Sequence, residues 1–264
     1  VYSTADEITS VNDLAGMKVG IPGRFGATYS GLITLLEASE MTEGDIQLEE
    51  IGYNAPEVVC LGAIDAAVIY VNNEPLQIRN RAMAGDCGDI ENVDVITVAS
   101  IADLVSNGLI TSADMVENNP EQVQAIVDSL DQALQASINN PARAYLMSLP
   151  YVENLPADEG FVSALETLAD EQDAFIATEP DRQAVMDSRW AMYDTLAEKF
   201  DADMLTQFEV LLTTTDLWDA DVLGYSDLVS WQTMADALFT LGALEAVPDD
   251  LDAAFTNQFV EAES

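Results

Sequence analysis

The sequence predicts an α/β fold, and three features of its first third carry that prediction. Met17–Ile21 carries a strand signal, followed by the glycine-bearing loop Pro22–Gly26 and then by the start of a helix with apolar periodicity. Further along, Asp65–Val71 is a continuous apolar run, as expected for a strand covered on both faces. A strand–loop–helix module followed by a short strand is how open α/β sheets build ligand clefts.

Each further element of this region follows from a local pattern. Thr28–Ala38 is predicted to be a helix because leucines recur on one face. The alternation of apolar and polar residues in Ile46–Ile51 predicts a strand. Four other elements are expected by the same criteria: the strand Lys18–Ile21, the short helix Pro56–Leu61, and the strands Val93–Val98 and Leu109–Thr111.

The second half of the chain has a mostly helical pattern. Asn119 followed by Pro120 predicts a helix start, and an apolar stripe runs along the helix that follows. The stripe consists of Val123, Ile126, Val127, Leu130, Leu134 and Ile138. Asn139–Pro141 is predicted to end this helix and begin the next, and Trp231–Leu241 is predicted to be a further helix.

Composition excludes several classes of protein. With 264 residues, 49% of them hydrophobic, the chain can form one large or two small domains, and no apolar run is long enough to span a membrane. Against 48 acidic residues there are 8 basic ones, a net charge of −40, which excludes binding to nucleic acid or to an anionic membrane surface. An acid-rich, lysine-poor surface is typical of proteins that work in concentrated salt, and an acidic protein from an ordinary habitat is the alternative.

The chain has no histidine, and this restricts its chemistry. A Ser-His-Asp triad and a cysteine–histidine pair are excluded, and two cysteines alone do not make a zinc site, so we expect no metal. No phosphate-binding loop or dinucleotide fingerprint is present, and we expect no cofactor. No spacing singles out a catalytic pair of carboxylates. We therefore expect that the protein is not an enzyme.

The candidate ligand-binding residues lie in three loops after predicted strands, with one later position. They are Arg24, Phe25, Gly26, Ala27, Thr28, Tyr29, Tyr53, Asn54, Tyr70, Asn72, Asn73, Glu74 and Asn107. Glycines allow the backbone to approach a ligand closely, and main-chain N–H groups at a helix start can donate to a ligand oxygen. The alternative for the first loop is a tight strand–helix turn with a solvated arginine.

The side chains of the other positions suit a heteroaromatic ligand. Tyr53 and Tyr70 can stack on a ring, and the asparagines carry both donors and acceptors. Glu74 can accept from a ring N–H or an exocyclic amine, and Asn107 is expected to face the ligand from the other side. Ordinary capped turns that pack their tyrosines are the alternative reading of these loops.

Several motifs in the same order resemble a known family. DLAGMKVGIPG, a strand with Gly62, Asp65, Ala66 and Ala67, and then NNEP are similar to NMT1/THI5-like substrate-binding proteins of ABC transporters, in the SsuA/ThiY superfamily. The resemblance continues through NGLITSADMVENNPEQVQAIV and closes with GYSDLVSWQTMADALFTLGAL and LDAAFTNQFV. The members that look most similar bind riboflavin or thiamine-pyrimidine precursors.

The resemblance implies a fold and an organisation. It implies a type II periplasmic-binding-protein-like fold, with two lobes joined by a hinge and a helical C-terminal section. Residues 14–98 would form the second, α/β lobe, and residues 1–13 with 99–264 would form the remainder of the first lobe. The N-terminal part of that first lobe is expected to be missing from this sequence. In an exported protein Cys60 and Cys87 would form a disulfide, and two buried thiols are the alternative.

The resemblance also implies a function. It implies an extracytoplasmic, lipid-anchored, monomeric binding protein that delivers a small vitamin to ABC permease subunits, with riboflavin favoured over a thiamine-pyrimidine precursor. A different class, a THI5-like pyrimidine synthase, would need a lysine for pyridoxal phosphate and a histidine that is consumed. A sensor domain of the same fold is the third possibility.

Overall fold

A computed structural model describes residues 8–90, 93–102 and 104–260 of the chain. Residues 1–7 and 261–264, which the predicted first lobe includes, lie outside the described residues. The described strands are β1 (Lys18–Ile21), β2 (Gln47–Glu50) and β3 (Ala66–Ala67). The described α-helices are α1 (Gly26–Ala38), α2 (Ala55–Cys60), α3 (Glu74–Ala84), α4 (Ala113–Asn118), α5 (Pro120–Asn139), α6 (Pro141–Ser148), α7 (Glu159–Ile176), α8 (Arg182–Ala197), α9 (Ala202–Trp218) and α10 (Leu228–Thr240).

The chain divides into two compact units. Unit 1 comprises the chain up to Asn107 together with Ser226–Thr256, and unit 2 comprises Gly108–Tyr225 together with the chain from Asn257. Unit 1 contains the sheet with α1, α2, α3 and α10, and unit 2 contains α4 to α9. The mixed α/β class is therefore confirmed, whereas the assignment of residue ranges to lobes of a binding protein stays a prediction.

The sheet of unit 1 is parallel, with β1 in the centre. The strand order is β2-β1-β3, and Val19 of β1 lies opposite Leu48 of β2 and Ala66 of β3. The chain thus leaves β1 on one side to form β2 and returns past β1 to form β3 on the other side. In open α/β sheets this reversal of strand order marks the point where ligands bind.

Helices cover both faces of this sheet because β1 alternates its side chains between two apolar cores. Val19 and Ile21 pack in a core with leucines of α1. Gly20 points to the opposite face, where a Cβ atom would come within 2.7 Å of the ends of Ile51 and Ile64. That second core also includes Val59, Ala67 and Ile78.

The structure confirms some predicted elements of unit 1 and corrects others. The strand Lys18–Ile21 is present with the predicted bounds. The strand Ile46–Ile51 and the two predicted helices of this region are present with ends shifted by one or two residues. The run Asp65–Val71 was predicted too long, because only Ala66 and Ala67 join the sheet. Beyond Val68, whose N–H still donates to the Gly20 carbonyl at 2.8 Å, the chain turns away.

Two predicted strands are wrong. Val93–Val98 has no strand structure and ends in the 3₁₀ turn Val98–Ser100, and no strand of the described sheet pairs with it. Leu109–Thr111 is also irregular, and Ile110 is 98% exposed. A segment rich in β-branched residues forms a strand only where it can pair with a neighbouring strand and pack one face against a core.

Unit 2 is a helical assembly around an aromatic core. Phe161 and Phe208 are fully buried, and Tyr145 packs edge-to-face on both rings. The predicted helix boundary at Asn140 is confirmed, since its side chain accepts from the Arg143 N–H and so begins α6. Among the described residues of the chain, no helix meets the length and apolarity needed to cross a membrane.

A disulfide between Cys60 and Cys87 joins the end of α2 to the loop after α3. Both cysteines are buried in the core beneath the second face of the sheet. The bond therefore ties together two segments that are 27 residues apart in sequence.

Candidate functional site

Three loops meet at one edge of the sheet because its strands are parallel. Residues 22–25 follow β1, residues 51–54 follow β2, and residues 68–73 follow β3. Parallel strands end at the same edge, so these loops lie side by side in the order of their strands. Twelve of the thirteen sequence-predicted positions belong to these loops or to the helices that start from them. We call this region the sheet-edge site.

Each loop of the sheet-edge site presents one exposed aromatic ring. Phe25 is 60% exposed, Tyr53 is 73% exposed and Tyr70 is 53% exposed. Large apolar side chains in such numbers at one edge are unusual for a surface that contacts only water. Their flat faces suit stacking on an aromatic ligand.

The start of α1 offers main-chain N–H groups to a ligand. Phe25 precedes the helix in an extended conformation and makes no side-chain cap bond, so it leaves the first-turn N–H groups uncapped. Gly26 has a φ of +67°, a left-handed conformation that favours glycine. Ala27 is exposed and Thr28 is half-buried at this helix start.

Arg24 is held by two carboxylates. Its Nη1 donates to the Glu43 carboxylate, and its Nε lies 3.4 Å from Oε1 of Glu50. The Tyr29 hydroxyl donates to the other Glu43 oxygen at 2.7 Å. These contacts draw the guanidinium toward the β2 side of the sheet, away from the loop after β3.

The pKa values of this cluster reflect those contacts. The hydrogen bond to Glu43 raises the pKa of Arg24, and it also raises the pKa of Tyr29. Partial burial acts to raise the pKa of Glu43, but the hydrogen bonds from Tyr29 and Arg24 outweigh it, so that pKa is lowered. At neutral pH Glu43 is therefore a carboxylate that contacts a charged arginine and a neutral tyrosine.

The polar residues after β3 brace their own loop. The Tyr70 N–H donates to the Glu74 carboxylate at 3.0 Å, and Asn73 donates its N–H to the Tyr70 carbonyl at 3.1 Å. The Asn73 side-chain oxygen accepts from Gln77 at 2.7 Å. Asn72 is half-buried in the same turn. These bonds fix the loop and set the direction in which Tyr70 projects.

The two remaining predicted positions differ in their setting. Asn54 is exposed and precedes α2, two residues after Gly52, whose φ is +61°. Asn107 is exposed in an irregular segment, and the strand that was expected to position it is not present. A role for Asn107 in binding therefore stays a prediction without a structural element to support it.

The sequence reasoning missed Glu43 and Glu50. Glu50 ends β2 and Glu43 opens the 3₁₀ turn that precedes it, so both are brought to Arg24 by the β1–α1–β2 crossover. The signal that points to Glu50 is its position at the end of a strand that neighbours the arginine loop.

Comparison with known proteins agrees with the motifs in the sequence. Residues 1–144 match the family model described as NMT1/THI5 like, and the chain belongs to this family. A similar protein is the riboflavin-binding protein RibY of Chloroflexus aurantiacus, which is 28% identical over 258 residues. The match covers 96% of this chain and 58% of that protein, so the chain spans less than two-thirds of its relative.

Proposed function

We propose that this protein is an extracytoplasmic solute-binding protein of an ABC importer and that it binds riboflavin at the sheet-edge site. The observation that carries the proposal is the set of three exposed rings, Phe25, Tyr53 and Tyr70, at the strand-order reversal of a parallel sheet. A relative that is named a riboflavin-binding protein supports the same ligand.

The chemistry of the site fits a flavin ring system. An isoalloxazine offers a large flat surface for stacking and, at one end, carbonyl oxygens and an N–H group. The exposed tyrosines supply the stacking surface, while the first-turn N–H groups of α1 and the asparagines after β3 supply donors and acceptors. Sites of this kind are largely apolar with a few fixed polar groups.

A pyrimidine synthase is the less favoured alternative because the residues that it would need are missing or misplaced. The chain has no histidine. Lys18 is the first residue of β1 and so lies at the opposite edge of the sheet, and Lys199 follows α8 in unit 2. We accordingly propose a binding role and not catalysis. The remaining features of the proposal are a lipid anchor, permease subunits as partners, action as a monomer and work in high salt, which the net charge of −40 favours.

The test is a riboflavin titration in buffer with molar salt, followed by quenching of flavin fluorescence. We expect saturable binding in the micromolar range or below. Tyr53→Ala and Tyr70→Ala should each weaken binding by about tenfold, because loss of one stacked ring costs about 1–1.5 kcal/mol.

A matched control keeps this test specific. Tyr151 is 86% exposed but belongs to unit 2, so Tyr151→Ala removes the same side chain away from the sheet-edge site. It should leave the affinity unchanged. If the folded protein binds no riboflavin but does bind hydroxymethylpyrimidine in calorimetry, the thiamine-precursor alternative replaces the flavin. If riboflavin binds and neither tyrosine variant weakens it, the ligand is right and the site is wrong.

A further inference from the structure

The sheet-edge site contains one basic residue, and carboxylates already neutralise it. Among residues 22–25, 51–54 and 68–73, Arg24 alone is basic. It contacts Glu43 and Glu50, and Glu74 starts the helix that follows the third loop. One positive charge therefore faces two carboxylates in direct contact, and the local net charge is negative.

The other cations of unit 1 stand further from this edge. Lys18 begins β1, at the amino end of the strands. Arg79 and Arg81 lie five and seven residues beyond the start of α3, which is roughly 7–10 Å along a helix that begins at the sheet-edge site. Hence Arg24 is the cation best placed to meet an anionic ligand.

Phosphate recognition by arginine needs a guanidinium that can turn its paired donors to the anion. In Arg24, Nη1 and Nε are directed to carboxylates on the β2 side. A phosphate would have to displace one of them or accept their repulsion. A neutral carbonyl oxygen has no such conflict, because a guanidinium has five N–H donors and can add a bond while its charge stays compensated.

We infer that Glu43 and Glu50 make the sheet-edge site select the uncharged form of its ligand and reject the phosphate ester. For the flavins, the protein takes riboflavin and discriminates against flavin mononucleotide. Glu43 is the main specificity-determining residue, because it contacts Arg24 directly and is fixed from the other side by the Tyr29 hydroxyl. This inference rests on the proposed function.

The test compares the two flavins on the same protein in molar salt. High salt screens the long-range field of the whole acidic chain, so that the remaining preference reports charges in contact with the ligand. We expect riboflavin to bind at least about tenfold more tightly than flavin mononucleotide, since a phosphate of nearly two charges faces an uncompensated carboxylate at contact distance. Glu43→Gln should narrow that ratio by about fivefold, mainly through tighter binding of the phosphorylated flavin.

Glu49→Gln is the matched control. It makes the same change in net charge as Glu43→Gln. Glu49 lies on β2 next to Glu50, but neighbouring side chains of a strand point to opposite faces, so Glu49 points away from the face of Glu50. We expect it to leave the ratio unchanged. Equal affinity for both flavins in the natural protein would overturn the inference, and so would an equal effect of the two substitutions.

Failure of the flavin assignment gives a different pattern. If neither flavin binds, the same comparison is made with hydroxymethylpyrimidine and its phosphate by calorimetry. Preference for the unphosphorylated pyrimidine would then support charge selection with a different ligand. Tighter binding of the phosphate would overturn it.

Discussion

Replacing the buried Arg189 by methionine should destabilise unit 2 strongly. The guanidinium is 0% exposed, and its Nη2 donates to Asp216 and Asp219, each at 2.9 Å. Its Nη1 donates to the Ile138 carbonyl at 3.2 Å, near the end of α5. Methionine fills a similar volume but leaves these acceptors without their cation.

The expected loss in the free energy of unfolding depends on which contacts Asp216 and Asp219 keep when Arg189 is removed. Breaking a buried ion pair by removing one partner costs about 3–5 kcal/mol. Here Asp216 keeps a hydrogen bond from the Trp190 indole at 2.7 Å, and Asp219 keeps its ion pair with Arg182. The Arg189 Nε, which has no hydrogen-bond partner among the described residues, also disappears and removes a penalty. We therefore expect the low end, about 3 kcal/mol.

Arg143→Met is the matched control for Arg189→Met. Arg143 also contacts two carboxylates in unit 2, Asp170 and Asp173, both at 2.7 Å. Its side chain is 38% exposed, however, and exposed ion pairs contribute under about 1 kcal/mol. The two substitutions thus differ mainly in burial.

Urea denaturation in molar salt gives the free energy of unfolding for both variants. A Trp231→Phe background removes the tryptophan of unit 1 and leaves Trp190 and Trp218 to report on unit 2. A loss for Arg189→Met within about 1 kcal/mol of the loss for Arg143→Met would refute the reasoning. It would mean that the cost of burying the three charged groups cancels their attraction.

Two further predictions concern stability. The double variant Cys60→Ala, Cys87→Ala should lose about 3–4 kcal/mol of unit 1 stability, the cost expected for opening a loop of this length, and a reductant should shift the urea midpoint of the natural protein but not of the variant. Burial raises the pKa of Tyr145 to about 12. Its folded-state pKa therefore lies above the unfolded value of about 10, so its stabilising effect is complete below about pH 10 and is lost as the pH rises toward 12. Urea denaturation across that range should show a steeper loss for the natural protein than for Tyr145→Phe; equal slopes would contradict this.

The sequence predicts those elements of the fold whose pattern and packing agree. In α1 the leucines at positions 32, 35 and 36 recur at helical spacing and are all buried against the sheet. The run from Val93 carries a comparable strand signal, but the described sheet has no partner for it. Local patterns report which side chains would fit a strand, whereas pairing depends on distant residues.

At the candidate site, too, some features could be predicted from the sequence and others could not. The positions of its three loops could be predicted, because residues that follow parallel strands must meet at one edge. The hydrogen bonds within the loops could not. Glu74 is predicted to accept from a ligand, and in the structure its carboxylate accepts from the Tyr70 N–H. A polar side chain at the sheet-edge site can form hydrogen bonds with its own loop as well as with a ligand. The order of residues in the sequence does not distinguish these two roles.

In this strongly acidic chain, a basic residue is weaker evidence for an anionic ligand than it is in most proteins. With 48 acidic residues and 8 basic ones, a basic side chain is expected to contact a carboxylate in most positions on the surface. Arg143, Arg182 and Arg189 each contact two, and Arg24 does the same at the sheet-edge site. An arginine in a ligand loop therefore does not by itself indicate an anionic ligand here, because the acidic composition compensates its charge before any ligand arrives. For the proposed riboflavin site, the same argument favours stacking over charge as the source of affinity in the molar-salt titration, since salt weakens attraction between charges and leaves ring contacts intact.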